Sequence, residues 1–490
     1  MFSQPRCQTL VMKGSALLPW KNFQRGKSFK RSSQGLKPGR KADPMKTSNI
    51  EASNQEKTGL GNYFVANYPP FSFWNKENLA CVESLCLTTA PADRPLGLYL
   101  HIPFCRKRCK FCYFRVYTDK NARDIEFYLD SLVREVEILA SYPYLAHRPL
   151  RFIYIGGGTP SYLSVNQIRG LVDRLKPLFP WDKAEEITFE CEPGTLQQHK
   201  LEALRELGVT RLSLGVENFD NDILQSNGRA HLGDEIDRAY GWARGCGFPQ
   251  INIDLIAGMV GETDANWTRC IEKAISMEPD SLTVYQMELP YNTVFSKELR
   301  VIGQDQPDMG GIADWPTKRR WIAECFAAFE KAGYTVTSAT TVVKDPAETK
   351  FVYRDALWQG ADMMGTGVAS FGHLGGIHVQ NLDAWETYTG AISQNQAPWA
   401  RAYPLTPQES FVRETILLLK KGKLSGAEFL DRHGKIPARE FASVFKVWEE
   451  RGFAKIEGDD VILSREGLIQ VDRWLPELFL EEHKNYKRYT

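Results

Sequence analysis

LYLHIPFCRKRCKFCYF, residues 98–114, runs from an apolar stretch into three cysteines set within eight positions. LYLHIPF reads as a strand passing into a loop, and Cys105, Cys109 and Cys112 follow on that loop in a C-x3-C-x2-C spacing. Further β-rich stretches recur downstream: RFIYI at 151–155, EITFEC at 186–191, RLSLGVE at 211–217, INIDLIAG at 251–258 and SLTVYQM at 281–287. Between them lie amphipathic segments such as IEFYLDSLVREVEILA, where Leu129, Leu132, Val133, Val136 and Leu139 recur at helical spacing. Strand and helix alternating six times predict an α/β fold built on a parallel sheet, open or closed.

Parallel α/β folds place their chemistry at the carboxyl ends of the strands. The residues expected there are unusually polar: the three cysteines after the first strand, GGGTP at 156–160 after the second, then Glu190 with Glu192, Glu217, Asp254 and Glu288. A lone carboxylate at a strand end is usually a cap or an ion-pair partner, and a glycine turn between strand and helix is commonplace. Taken together with the cysteines they predict a site. Consecutive glycines let the backbone adopt positive φ and approach a ligand closely. The tract is neither G-x-G-x-x-G nor a G-K-S/T phosphate loop.

Three thiolates leave one position open, whether the group is a zinc ion or an iron–sulfur cluster. A closed zinc site needs a fourth ligand, for which Cys191 or His101 would have to serve. In a 4Fe–4S cluster the vacancy is useful, because an iron with an open position can chelate the amino and carboxylate groups of a small molecule. Arg106, Lys107, Arg108 and Lys110 favour thiolates electrostatically in either case.

The remaining composition narrows the class. A chain of 490 residues, 43% hydrophobic, can bury two or three domains. Its ten cysteines, seven of them scattered, form no regular framework of pairs and fit reduced thiols in a cytoplasmic protein. Residues 1–48 carry 11 Lys and Arg against one acidic residue, Asp43, which leaves 50 basic and 59 acidic residues beyond, a net of −9. A body that acidic is a poor match to nucleic-acid phosphates. The leader, residues 1–60, reads as disordered, and its composition suits either a transit peptide or an over-called start ahead of Met45. No run approaches a membrane span.

C-x3-C-x2-C after a first strand and GGGTP after a second resemble the radical S-adenosylmethionine (SAM) superfamily. LYLHIPFCRKRCKFC is similar to the wording of its oxygen-independent coproporphyrinogen III oxidase-like branch, which also holds haem chaperones and class C methyltransferases and cyclopropanases. EITFECEPGT, TRLSLGVENF, NGRAH and INIDLIAGMVGET extend the resemblance, closely over residues 95–300 and loosely to about 480. It implies a partial (β/α)6 barrel, a 4Fe–4S cluster on Cys105, Cys109 and Cys112, and one or two molecules of SAM. It further implies that Tyr99 and Phe111 flank the cofactor, and that Gly157, Gly158 and Thr159 meet its methionyl amine and carboxylate through the backbone. Glu190 matches an acidic contact to the first SAM, and Arg229 and Asp254 match positions that hold a second in the decarboxylases. The implied activity is hydrogen abstraction by a 5′-deoxyadenosyl radical, with a coproporphyrinogen III-like tetrapyrrole as substrate and a flavodoxin- or ferredoxin-type electron donor as partner.

Three features depart from the decarboxylases. Their further cysteine, two residues after the third, is here Phe114; their usual glutamine after RLSLGV is Glu217, an acceptor where an amide both donates and accepts; and NGRAH is closer to the chaperones. Pulling the other way, GNYFVANYPPFSFW in the segment 61–94 offers Tyr63, Tyr68, Phe71, Phe73 and Trp74 either to line a flat-substrate pocket or to form an aromatic plug. After the barrel at 95–300, residues 301–404 read as a region that closes over the site, with GTGVAS, His373 and His378 open to a site role or to packing. Residues 405–490 read as a C-terminal winged-helix-like α+β domain. Six acidic against four basic residues between Lys446 and Glu466 argue against DNA binding.

Overall fold

The computed structural model describes residues 65–290, 293–301 and 311–484. The disordered-leader reading of residues 1–60, and Tyr63 of the aromatic segment, lie outside the described residues.

Six strands stand where the pattern placed them: β1 (Leu96–Ile102), β2 (Leu150–Gly157), β3 (Glu186–Cys191), β4 (Arg211–Glu217), β5 (Gln250–Ala257) and β6 (Ser281–Gln286). Each pairs parallel with the next, and every crossover contains helix. The first crossover helix, Ala122–Ala140, shows why the local sequence folds as it does. Asn121 Oδ1 accepts from the Arg123 and Asp124 N–H groups while Asp124 returns a carboxylate to the Asn121 N–H, a capping box. All five apolar residues noted at helical spacing in this segment are buried.

Alternation along the strands separates two faces. Leu98, Leu100, Ile102, Ile153, Ile155, Leu212, Leu214, Ile251 and Ile253 are buried in one large apolar cluster with the helices. The residues between them form rows on the opposite, inner face: Tyr99 beside Tyr154, Thr188 and Arg211, and above that row Glu190 beside Ser213 and Asn252. These inner polar groups satisfy one another, with Ser213 Oγ and Asn252 Nδ2 donating to Asp254 at 2.8 and 2.9 Å and Ser281 and Thr283 donating to Asn252 at 2.9 and 3.0 Å.

The sheet is larger than six strands. β7 (Thr335–Ser338) and β8 (Thr341–Val343) add an antiparallel edge beyond β6; β9 (Asp362–Thr366) joins β1 in parallel, followed by antiparallel β10 (Phe371–Leu374), β11 (Ile377–Asn381) and β12 (Trp399–Pro404). The order β12-β11-β10-β9-β1-β2-β3-β4-β5-β6-β8-β7 leaves the barrel partial, because β1 and β6 each meet a different neighbour. GTGVAS is thus the end of β9 and its following turn, with Gly367 N–H donating to buried Glu135 at 2.7 Å.

Helices Pro407–Leu419, Gly426–His433 and Ala442–Glu450 and the three-stranded sheet of β13 (Lys423–Leu424), β14 (Ala454–Glu457) and β15 (Asp460–Leu463) make a winged-helix-like domain. Its apolar core includes Phe411, Phe429, Phe445, Trp448 and Val461, and also Tyr68 and Trp358. It rests on the β6–β8 flank, where Ala339 N–H donates to Lys420 O at 2.7 Å and Gln286 Nε2 to Ile469 O at 3.1 Å.

The aromatic segment is a plug. Tyr68 is buried with its hydroxyl 2.7 Å from His483 Nδ1, and the Trp74 ring stacks on His378 at 4.8 Å. His373 and His378 pack against each other, Nδ1 to Nδ1 at 3.0 Å, and His378 Nε2 meets Tyr68 O at 2.9 Å, so both histidines serve packing. Among the described residues no helix is long and apolar enough to cross a membrane, and the nine described cysteines are free thiols.

Candidate functional site

The cysteine loop leaves β1 at its carboxyl end and closes on itself: Cys105 N–H donates to Tyr117 O at 3.0 Å and Tyr117 N–H to Pro103 O at 2.7 Å. From β2, Gly158 N–H donates to Ile102 O and Thr159 N–H to Phe104 O, each at 2.8 Å, so the glycine tract is stitched to the root of the loop. That stitching is why glycine stands here. A Cβ on Gly157, whose φ is +118°, would lie 2.5 Å from the His101 ring, and one on Gly158 would lie 3.0 Å from Cys105 Sγ.

NGRAH, residues 227–231, clamps the loop from the other side. Lys110 N–H donates to Asn227 O at 3.1 Å, Arg106 Nη2 to Ala230 O at 2.6 Å, and Arg229 Nη1 to Cys109 Sγ at 3.3 Å. His231, fully buried, sets its ring nitrogens 2.9 Å from Glu192 Oε1 and 3.2 Å from Val216 O, and Arg106 meets that same carboxylate oxygen at 3.3 Å. Thr159 Oγ1 donates to Cys105 Sγ at 3.3 Å. Donors aimed at sulfur are what thiolate ligands require.

The three thiols belong to one loop and lie near enough for their charges to act on one another. The two suggested fourth ligands are engaged elsewhere. His101 Nδ1 lies 3.1 Å from the Tyr99 hydroxyl, and Cys191 is buried in the apolar cluster on the helix side of the sheet. Burial pushes the Cys105 and Cys112 thiols up to about 12 and about 11, so loading a metal group requires releasing their protons.

Beneath the loop, Glu190, Glu217 and Asp254 face one another at the upper end of the inner face. Glu190 accepts from Tyr154 Oη at 2.6 Å and from Gly157 N–H at 2.9 Å; burial raises its pKa, and Asp254 raises it further. Burial also raises Asp254. Glu217 is lifted to about 7 by burial and by both neighbouring carboxylates, against the opposing pull of Arg229 at 3.5 Å. It sits at φ 67°, a left-handed backbone held by the register shift between Gly215 and Glu217 in the β4–β5 ladder. Three carboxylates in a low-dielectric lumen favour a cationic or hydroxyl-bearing ligand.

The anticipated site residues fall into three groups. Cys105, Cys109, Cys112, Glu190, Glu217, Arg229 and Asp254 surround one mouth, with Tyr99 deeper, stacked on Tyr154 at 5.9 Å. The N–H groups of Gly157, Gly158 and Thr159 are all engaged within the protein, so these residues could meet an amine through carbonyl oxygens but not a carboxylate through amides. Phe111 packs with Val260 and Leu289 on the apolar cluster of Ile256, Met259 and Met287 beside the mouth. Sequence reasoning missed Tyr154 and His231 and took Arg106 for its charge alone. Arg106 and His231 lay inside quoted motifs, but the contacts that use them join positions 39 to 124 residues apart.

A family model described as the Radical SAM superfamily matches residues 99–274. The chain is 28% identical over 371 residues to the heme chaperone HemW of Bacillus subtilis, covering 75% of this chain and 95% of that protein. It is 28% identical over 396 residues to the oxygen-independent coproporphyrinogen III oxidase of Escherichia coli, covering 78% and 81%. Among solved structures, coproporphyrinogen III oxidase (HemN) from Escherichia coli superimposes with a TM-score of 0.72 at 23% identity over 85% of this chain and 96% of that one, a likeness of fold. The superfamily uses a 4Fe–4S cluster and S-adenosylmethionine.

Proposed function

From a chain that carries a radical SAM domain at residues 99–274, we propose an enzyme that cleaves S-adenosylmethionine and removes a hydrogen atom from a coproporphyrinogen III-like tetrapyrrole, whose radical loses carbon dioxide and passes its remaining electron to a one-electron acceptor. The observation that supports it is the gathering of three thiols, an arginine aimed at sulfur and three carboxylates around one mouth. In this reading Cys105, Cys109 and Cys112 would hold the cluster beside the S-adenosylmethionine site. When bound and reduced by a flavodoxin- or ferredoxin-type donor, that pair supplies a 5′-deoxyadenosyl radical.

The chain's own residues then bind, orient and shield. Glu190, fixed by Tyr154 and Gly157, accepts from ribose hydroxyls; Glu217 and Asp254 place negative charge near the sulfonium; Arg229 neutralises thiolate charge at Cys109. Phe111 and its apolar cluster keep water from one wall. Tyr113, Phe114 and Tyr285, exposed at the same end, offer aromatic faces to a flat macrocycle.

A haem chaperone is the second reading, favoured by the Glu217–Arg229 pair, which sets an ion pair where the decarboxylases carry an amide. Mass spectrometry of an anaerobic reaction with reductant, S-adenosylmethionine and coproporphyrinogen III separates the two. 5′-Deoxyadenosine together with loss of two carboxyl groups from the tetrapyrrole is the expected result. 5′-Deoxyadenosine with untouched tetrapyrrole moves the substrate to methyl-transfer or cyclopropanation chemistry. Neither product, with saturable haem binding by Soret absorbance, overturns the enzyme in favour of the chaperone.

A further inference from the structure

The strands' other ends, remote from the cysteines, enclose a cavity of about 390 Å³ lined by the first residues of β4, β5 and β6 and by residues 337–355. Its charge is one-sided: Arg211, Lys350, Arg354 and Lys421 line it against a single carboxylate, Asp355. Asp355 does not discharge the set so much as hold it, meeting Arg354 at 2.8 Å and Lys421 at 2.9 Å.

Arg211 is the unusual member. Only 2% exposed, it lies over the Phe351 ring at 4.1 Å, and Gln250, with its amide oxygen turned toward the guanidinium, accepts from Nε at 3.2 Å. Nη1 is closed off from water and has no hydrogen-bond partner among the described residues, so the guanidinium meets the cavity by its other atoms. Glu186, on the lumen side, shares charge with Arg211, and its oxygens are occupied by the Val352 and Tyr353 N–H groups and the Thr188 hydroxyl. Of the hydroxyls in the lining, Ser281 donates to Asn252, Thr337 to Thr341 O, and Thr341 accepts from Arg354, while Thr349 completes the wall. Cations gathered round one cavity are the recognition chemistry of an oxyanion.

We propose that this cavity binds a small, multiply charged oxyanion: inorganic phosphate, or the phosphate group of a small phosphomonoester. None of its lining residues belongs to the mouth at the cysteine end, although the charge of Arg211 also acts on Glu190 and Asp254 there.

Isothermal titration of the reconstituted, full-length chain saturated with S-adenosylmethionine tests it, using inorganic phosphate and, separately, glycerol 3-phosphate, against chloride at matched ionic strength. The expected result is saturable binding of one equivalent, weakened at least about threefold in Lys421→Gln, which removes one cation and leaves Asp355 to Arg354 alone, and at least about tenfold in Arg211→Gln. Tighter binding of glycerol 3-phosphate identifies a phosphomonoester site; equal affinity identifies the free anion. No saturable heat for either probe up to tens of millimolar, or wild-type binding in the variants, overturns the proposal. Should Arg211→Gln fail to fold, Lys421→Gln, whose side chain is one-third exposed, decides alone.

Discussion

Replacing Gly158 with alanine asks whether the glycine tract exists to seat the cysteine loop. The new methyl would stand 2.9 Å from Phe104 O, 3.0 Å from Ile102 O and 3.0 Å from Cys105 Sγ. The two oxygens cannot retreat freely, because Thr159 and Gly158 hold them through 2.8 Å hydrogen bonds. The sulfur can. Gly158 lies outside the left-handed region, so alanine brings no left-handed strain, and the cost is overpacking, about 1–3 kcal/mol. If most of that falls on the seated position of Cys105, cluster loading weakens by roughly 5- to 150-fold while the fold survives. The assay is iron and sulfide per chain after anaerobic reconstitution at limiting iron, with visible absorbance, beside the melting temperature of the metal-free chain. Gly157→Ala is the control that should behave differently: its positive φ and the 2.5 Å approach to the His101 ring strain the strand itself, so the metal-free chain should melt earlier. Wild-type loading by Gly158→Ala at limiting iron would refute the reasoning.

Cys109→Ala should abolish the cluster's visible absorbance, and a retained cluster would contradict the ligand assignment. Arg229→Met removes the donor to Cys109 and leaves Glu217 buried without its cation; formation of 5′-deoxyadenosine by the reconstituted chain should fall by at least about tenfold, read by chromatography. Burial lifts Glu135 to about 7 from the ordinary 4.5, so the folded chain keeps a proton that the unfolded chain releases. Its contribution is full below about pH 4.5 and is lost as pH rises toward 7, by at most about 1.4 kcal/mol per unit. Urea unfolding at pH 5 and pH 7 should show the decline, and Glu135→Gln should flatten it. Tyr68→Phe deletes the buried hydroxyl that meets His483 and the Leu480 N–H, and should destabilise the chain by about 1–2 kcal/mol in the same measurement.

The sequence made the parallel strands legible because each carries an apolar outer set that period-two reading detects; Ile251, Ile253 and Leu255 are enough to place β5. β9 was not legible, since ADMMGTGVAS offers glycines where a strand reader looks for branched residues, and its pairing with β1 spans some 260 residues. The thiols, Glu190, Glu217 and Asp254 were legible as strand-end polar residues. What could not be read was their arrangement: that the Gly157 amide serves Glu190, or that Arg106 and His231 share Glu192, follows from register and helix packing, which no local pattern encodes. The aromatic segment was ambiguous for a related reason. A row of rings reads alike whether it faces substrate or a histidine on β11, and here Trp74 faces His378.

The clamp between the cysteine loop and residues 227–231 carries a consequence for how the chain fares when iron is scarce. Lys110, Arg106 and Cys109 are each tied to that segment by one bond, and two of the three bonds come from basic residues of RKRCK, a run of consecutive trypsin sites with Arg106 and Lys107 at the surface. If this loop holds the metal group, loading should pin these sites in a poorly cleaved shape, and the unloaded loop, held only by the clamp, should be cut faster by trypsin. Limited proteolysis would then serve as a gauge of metal loading.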